Sequence, residues 1–465
     1  MQRILAIAWL TWKAALRFRL FLVLAVLLIL AVVGLPLVIK DDGTARGFTQ
    51  ILLTYTLSAI TGLLGLSTLW LACGTLARDI EECQIQVVAT KPIARWQIWL
   101  GKWLGIVTLD AALLAISGAC VFGLLQWRAG KLPAAEQKNL REQVLVARGS
   151  AREKNYDADI DRETEQILRE RLKQNPEMAA LTDEEKNLAL TQIRERVKSD
   201  LQLVSPGLAR EWNINLGFAK NFLHDRPLQL RVKFNSAQKS PTGTFLGLWQ
   251  VGDPNSANLW RSEPMSLAPD TVHELTIPPN LFDDKGVLTV IFWNENSTSL
   301  LFPLEDGMEV LYPEGSFALN YARGLGIIFC WMAMLAALGL AAASFLSFPV
   351  ATFFSLAMLT VILSSGTLAE AVDAGTVTAG NGETGVMGHS VADLVLIPFF
   401  KGILAVTGLV KNFSPIDSLS TGRSISWSEL GAAFGQIVLL LGGLISLFGI
   451  ILFSRRELAT AQGTQ

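Results

Sequence analysis

The hydrophobic pattern divides the chain into two apolar blocks separated by a long polar one. A helix needs about 20 mostly apolar residues to cross a bilayer, because each residue advances roughly 1.5 Å through a hydrocarbon core roughly 30 Å thick. Stretches of that kind run over residues 20–39, 51–77, 104–125, 324–346, 349–365 and 430–453, so the pattern predicts about six spans. Residues 4–17 show a different pattern. Ile4, Leu5, Ala8, Trp12 and Ala15 recur at helical spacing, with Arg3, Lys13 and Arg17 left for water. This predicts an interfacial elbow helix over residues 1–19, lying on the membrane surface before the first span. The alternative is a frayed extension of that span.

The polar block carries its own pattern. Residues 128–211 are rich in charge and in helix formers, and Thr182-Asp183-Glu184-Glu185 reads as a capping box after the helix-breaking Pro176. Long helices, as a hairpin, are the expectation there. From 212 to 320 the period becomes two. Residues 228–234 alternate strictly, and 244–251, 272–277 and 287–293 resemble them, with turn residues between. Short strands at that spacing predict an antiparallel β-sandwich. Trp249, Trp260 and Trp293 could stack a ligand there, although core packing is the commoner fate of strand tryptophans. Sandwiches of this kind bind proteins or glycans, so either is an open partner class. The fold class is thus an α-helical polytopic membrane protein with an α+β insert.

Orientation follows from the cations beside the spans. Arg3, Lys13, Arg17 and Arg19 precede the first span, and Arg78, Lys91, Arg95 and Lys102 lie between the second and third. Arg455 and Arg456 follow the last. Both termini are expected on the cytoplasmic side and the insert outside. Residues 20–127 then form spans one to three and 321–465 spans four to six. An apolar run at 391–415, broken by Asp393, Pro398, Lys401 and Gly408, reads as an external re-entrant or interfacial segment, preceded by a flexible loop over 375–388. The basic start could suggest a signal peptide, but no small-x-small cleavage site follows the apolar run, and an uncleaved span is expected.

Composition narrows the function. The chain has 465 residues, 17% of them charged, with a net charge of −2. Roughly two thirds of the charges fall in the insert. No basic footprint points to nucleic acid. The cysteines Cys73, Cys83, Cys120 and Cys330 form no CxxC pair, the insert has none, and His224, His273 and His389 are scattered, so neither a disulfide framework nor a metal site is predicted. Asp110, about two turns inside the third span, is costly in hydrocarbon and a candidate intramembrane functional group. A neighbouring Ser, Thr or backbone group could equally satisfy it.

The segment 78–96 is the strongest candidate for mechanism. Asp79, Glu81 and Glu82 crowd its start, Pro92 bends it, and Lys91 and Arg95 flank that bend. Trp96, Trp99 and Trp103 follow on one helical face, which would seat at the membrane surface. The plain alternative is a solvated loop with an aromatic anchor.

The order of elements, the Glu81-Glu82 segment, Thr90-Lys91-Pro92-Ile93-Ala94-Arg95-Trp96 leading to Gly101-Lys102, and the ending Phe453-Ser454-Arg455-Arg456-Glu457-Leu458-Ala459 together resemble the permease subunits of type-2 ABC transporters. The likeness covers the two membrane blocks. The long insert departs from the minimal pattern. The resemblance implies an exporter of the bacterial inner or plasma membrane in which two permeases, copies or paralogues, pair and each docks on a cytoplasmic ATPase. Segment 78–96 would be the coupling helix, and the turn at Ser347-Phe348-Pro349 a second contact. No G-x4-G-K-[ST] phosphate loop occurs in the chain, so ATP would be used by the partner subunit and this chain would bind no cofactor. The few charges in the spans favour an amphipathic or lipid-linked cargo. Rival readings are a complex that passes ATP-driven motion to the insert without carrying cargo, and a membrane enzyme of envelope metabolism.

Overall fold

Apolar runs become helices and alternating runs become strands, and the two kinds separate in space. In a computed structural model the described residues are 2–17, 19–38, 44–85, 93–174, 183–236, 238, 240, 242–252, 258–363, 372, 393–411 and 413–456. They form two compact units, Arg148–Glu314 and the remainder of the chain on either side of it.

The helical unit contains α1 (Gln2–Arg17), α2 (Arg19–Val38), α3 (Ala45–Glu81) and α4 (Arg95–Ala129) before the insert. A short helix, Ala134–Asn139, follows α4. Helices α3, α4, α7 (Phe317–Ala343) and α10 (Trp427–Arg455) are long and apolar enough to cross a membrane. Helices α1 and α2 bend by 77° at their junction and, counted as one broken span, make a fifth. Among the described residues the candidate spans are thus fewer than the six expected. Of the stretch at 349–365, the described residues form α8 (Phe348–Leu363), 16 residues or about 24 Å at 1.5 Å each. The 391–415 run forms α9 (Asp393–Lys411), a helix with Pro398 inside it. The loop expected over 375–388 and the capping box starting at Thr182 lie wholly or partly outside the described residues.

Small residues let these helices touch. A Cβ added at Gly339 of α7 would stand 2.6 Å from the Ala72 side chain of α3, and one at Gly449 of α10 would stand 2.9 Å from the Ala341 backbone. Such contacts are the usual means of association between helices whose surroundings are as apolar as their own side chains. The large apolar side chains of α10 point outward instead: Leu440, Leu444, Leu447 and Ile451 are all exposed.

The other unit pairs a helical hairpin, α5 (Asp157–Gln174) and α6 (Asp183–Gln202), with antiparallel sheets. One sheet has the order β1 (Val146–Ala151), β7 (Met308–Ser316), β3 (Leu228–Val232), β5 (His273–Ile277). The second runs β2 (Ala209–Asn215), β6 (Val287–Trp293), β4 (Phe245–Val251), with Trp260–Arg261 and Met265–Leu267 both paired to β4. The alternation in β3 places Leu228, Leu230 and Val232 in one core with Trp212, Trp249 and Phe292 of the second sheet. The four alternating segments read from the sequence all become strands. Strand β1, inside the region expected to be helical, was not anticipated.

Candidate functional site

The tail of α3 begins the site. The helix continues through Arg78, Asp79 and Glu81, which therefore stand on its last turn rather than in a loop. It stops where the Glu82 amide donates to the Arg78 carbonyl, the Cys83 amide donates to the Ile80 carbonyl, and Cys83 adopts φ +56°, the left-handed conformation that often ends helices.

Each charge on that turn has a destination. Asp79 pairs with the Lys102 ammonium at 2.5 Å, and Lys102 also donates to the Thr75 carbonyl at 2.7 Å. Lys102 is buried, so its charge is compensated by a carboxylate and a carbonyl instead of water. The Glu81 carboxylate accepts the Phe348 amide at 2.8 Å and so caps the start of α8, where the first amides have no partner inside the helix. The Phe348 ring meets Trp70 edge-on, and the Arg78 guanidinium lies 4.4 Å from its centroid. Three side chains of α3 thus fix the turn before α8.

Arg95, on the first turn of α4, collects the opposite kind of orphan. Its Nη1 donates to the carbonyls of Phe453, Ser454 and Arg456 at 3.1, 2.9 and 2.7 Å, so a cation sits on the carbonyl end of α10, where the helix dipole favours it. Arg456 donates in turn to the Ser344 carbonyl, and the indole of buried Trp99 donates to the Ser344 hydroxyl. The result is a closed ring: α3 to the 344–348 turn, that turn to the end of α10, α10 through Arg95 to α4, and α4 through Lys102 back to α3.

The ring brings together Asp79, Glu81, Arg95 and the Ser347-Phe348-Pro349 turn, segments far apart in sequence. Glu82 lies beside it, exposed, accepting from the Gln84 amide. Lys91 and Pro92 lie outside the described residues. Asp110 does not join. It is buried farther along α4 and accepts from the Thr68 hydroxyl at 2.9 Å. The tryptophans divide: Trp96 is exposed, whereas Trp99 is buried and Trp103 donates to the Ala333 carbonyl. Ser344, Lys102 and Arg456 were not marked as site residues. Lys102 had a signal, because a cation inside an apolar helix requires an acid, and Asp79 at the end of the preceding helix is the nearest candidate.

In the sheet unit the three tryptophans do not gather. Trp249 is fully buried against Phe292, with 4.6 Å between ring centroids, while Trp293 stands exposed on the same sheet. The unanticipated feature there is a buried ion cluster. Arg231 and Arg148 both hold Glu274, at 2.7 and 3.0 Å, and Arg152 holds Glu309 at 3.1 Å. Burial and the neighbouring Glu153 push Tyr156 up to about 12, so it remains a neutral hydroxyl that donates to Glu153. Among the described residues no three His, Cys, Asp or Glu groups gather as metal ligands would. No family model, no curated protein and no solved structure matches this chain.

Proposed function

We propose that the chain is the membrane subunit of an ATP-driven export complex, powered by a separate ATPase that docks on the ring at the ends of α3, α8 and α10. The carrying observation is the Glu81–Phe348 hydrogen bond, which joins the last turn of α3 to the turn before α8. A partner pressing on either would move both, and through Arg95 the ends of α4 and α10 as well. Rigid-body rocking of packed helices is a known way to turn such a push into alternating access. The outward-facing apolar stripe of α10 and the glycine contacts favour lipid as the surrounding solvent. In this reading the ring and both termini face the cytosol, the sheet unit lies outside, a second copy or paralogue completes the assembly, and ATP belongs to the partner.

A second reading, transfer of motion to the insert without cargo, is favoured by one feature. Strand β7 ends at Ser316 and α7 begins at Phe317, so the chain passes from strand to helix at consecutive residues.

The tagged chain purified from its native membranes should bring with it a polypeptide bearing a phosphate-binding loop and ATPase activity. Reversing the exposed charges with Glu82→Arg and Arg455→Glu should remove that polypeptide while the chain still extracts as a folded protein. Retention of the ATPase by the variant, or recovery of an intact chain with no ATPase, overturns the assignment. Stimulation of the ATPase by cargo in vesicles favours export, and stimulation only by an external protein favours the second reading.

A further inference from the structure

Helix α1 has three faces, and among the described residues its buried side chains lie on one of them. Ile7, Ala8, Thr11 and Ala15 are buried. They sit on α4 where Gly101 and Gly105, spaced four apart, remove the side chains that would hold the helices apart. A Cβ at either glycine would stand 2.7 Å from a Cβ of Ile7 or Thr11. Trp12 adds a hydrogen bond to the Thr108 hydroxyl of α4 at 2.9 Å.

The remaining surface divides lengthwise. At 3.6 residues per turn, Leu5, Trp9 and Leu16 fall within about 40° of one another, and Lys13, Arg17 and Arg3 occupy about the next 80°. Leu5, Trp9 and Leu16 are 59%, 59% and 55% exposed, far more than an aqueous surface readily tolerates in one strip. Lys13 and Arg17 are exposed, and Lys13 lies 5.7 Å from the centre of the Trp9 ring, at the line where the strips meet. Leu10 falls among the cations and is exposed as well. The helix contains neither Asp nor Glu, so no acid of α1 itself faces Lys13 and Arg17.

We infer that this outer surface of α1 binds the anionic headgroups of membrane phospholipids, with Lys13 and Arg17 on the phosphates and Trp9, Leu5 and Leu16 set at the acyl boundary. The inference rests on the membrane reading given above. The 77° bend between α1 and α2 supplies the geometry, because a helix nearly perpendicular to a crossing helix lies along the bilayer surface. A helix so placed has one flank toward hydrocarbon and the other toward headgroups and water, which is the division observed. Each cation close to an anionic leaflet strengthens attachment roughly fivefold.

The test uses the full chain in nanodiscs of phosphatidylcholine with or without phosphatidylglycerol, followed by native mass spectrometry of the lipids that remain bound. The wild-type chain should retain phosphatidylglycerol in preference to phosphatidylcholine. Lys13→Gln with Arg17→Gln should lower that retention by at least about fivefold, and Lys13→Arg with Arg17→Lys should keep it. A chain that enters the discs but retains both lipids equally, or a neutralised variant that matches wild type, overturns the inference. That same result is expected if a second copy of the chain covers this face. A chain that remains in solution and never enters discs overturns the membrane reading and this proposal together.

Discussion

The two units put similar side chains to opposite uses. In Arg148–Glu314 the large aromatics Trp212, Trp249, Phe292 and Phe302 are buried between sheets, and charged residues cover the helical hairpin. In the helical unit α7 is well packed, yet α10 turns Leu444, Leu447 and Phe448 outward, and the contacts between helices run through glycine and alanine. The first arrangement is stabilised by removing apolar surface from water. The second, in the membrane reading proposed above, would gain little that way and would rely on close backbone approach and on satisfying every polar end. The difference teaches where each unit is fragile. The sheet unit should fail when a large core side chain is removed, and the helical unit when a small one is enlarged or an end is uncapped.

That contrast can be broken most easily at its largest expected effect. Trp249→Ala should cost the sheet unit about 3–5 kcal/mol, whereas Leu444→Ala, on an exposed face of α10, should cost about 0.5 kcal/mol or less. Pulse proteolysis of the full chain, with fragments assigned to each unit, measures both. Equal losses would erase the distinction. Glu309→Ala removes a carboxylate from Arg152 and Arg231 while Arg231 keeps Glu274 and Arg152 keeps the Glu305 carbonyl, so the loss should be about 1–3 kcal/mol. Its denaturation midpoint should fall, by less than that of Trp249→Ala, and a midpoint within error of wild type would show that the cluster is solvated.

Gly339→Leu drives a side chain into Ala72 and should destabilise the helical unit by about 1–3 kcal/mol without changing proteolysis of the sheet unit. A stabilised variant would mean that α3 and α7 are not in contact. The smallest effect is expected from Arg95→Gln, which exchanges a charged donor at the end of α10 for a neutral one, at about 1 kcal/mol. Its signature is local. Trypsin should cut after Arg455 and Arg456 several-fold faster than in wild type, while the remaining fragments are unchanged. An unchanged rate there would show that Arg95 does not hold the end of α10.

Much of this was legible from period alone. Twenty-residue apolar runs and two-residue alternation separated helices from strands, and β3, β4, β5 and β6 emerged where the alternation placed them. The expected span count exceeds what the described helices supply, because apolarity marks a candidate segment but not the length of the helix it forms. The ring was half legible. Acidic and basic residues at the ends of apolar runs marked Asp79, Glu81 and Arg95 as candidates, but their partners are backbone groups at Phe348, Phe453 and Ser454, and a backbone amide or carbonyl leaves no trace in a sequence. Arg231 was hidden for a related reason. Its position alternates with core residues, so it reads as water-facing until Arg148 and Glu274 from other strands cover it.

The central claim is that the ring faces the cytosol and the sheet unit lies across the membrane from it. Cys83, exposed beside the ring, is a built-in probe. With Cys120 replaced by Ser and Val272→Cys placed on the exposed surface of the sheet unit, spheroplasts would be treated with a membrane-impermeant maleimide. Residue 272 should react in intact spheroplasts and Cys83 only after permeabilisation. Labelling of Cys83 in intact spheroplasts with residue 272 protected would contradict the account, since no cytosolic ATPase could then reach the ring.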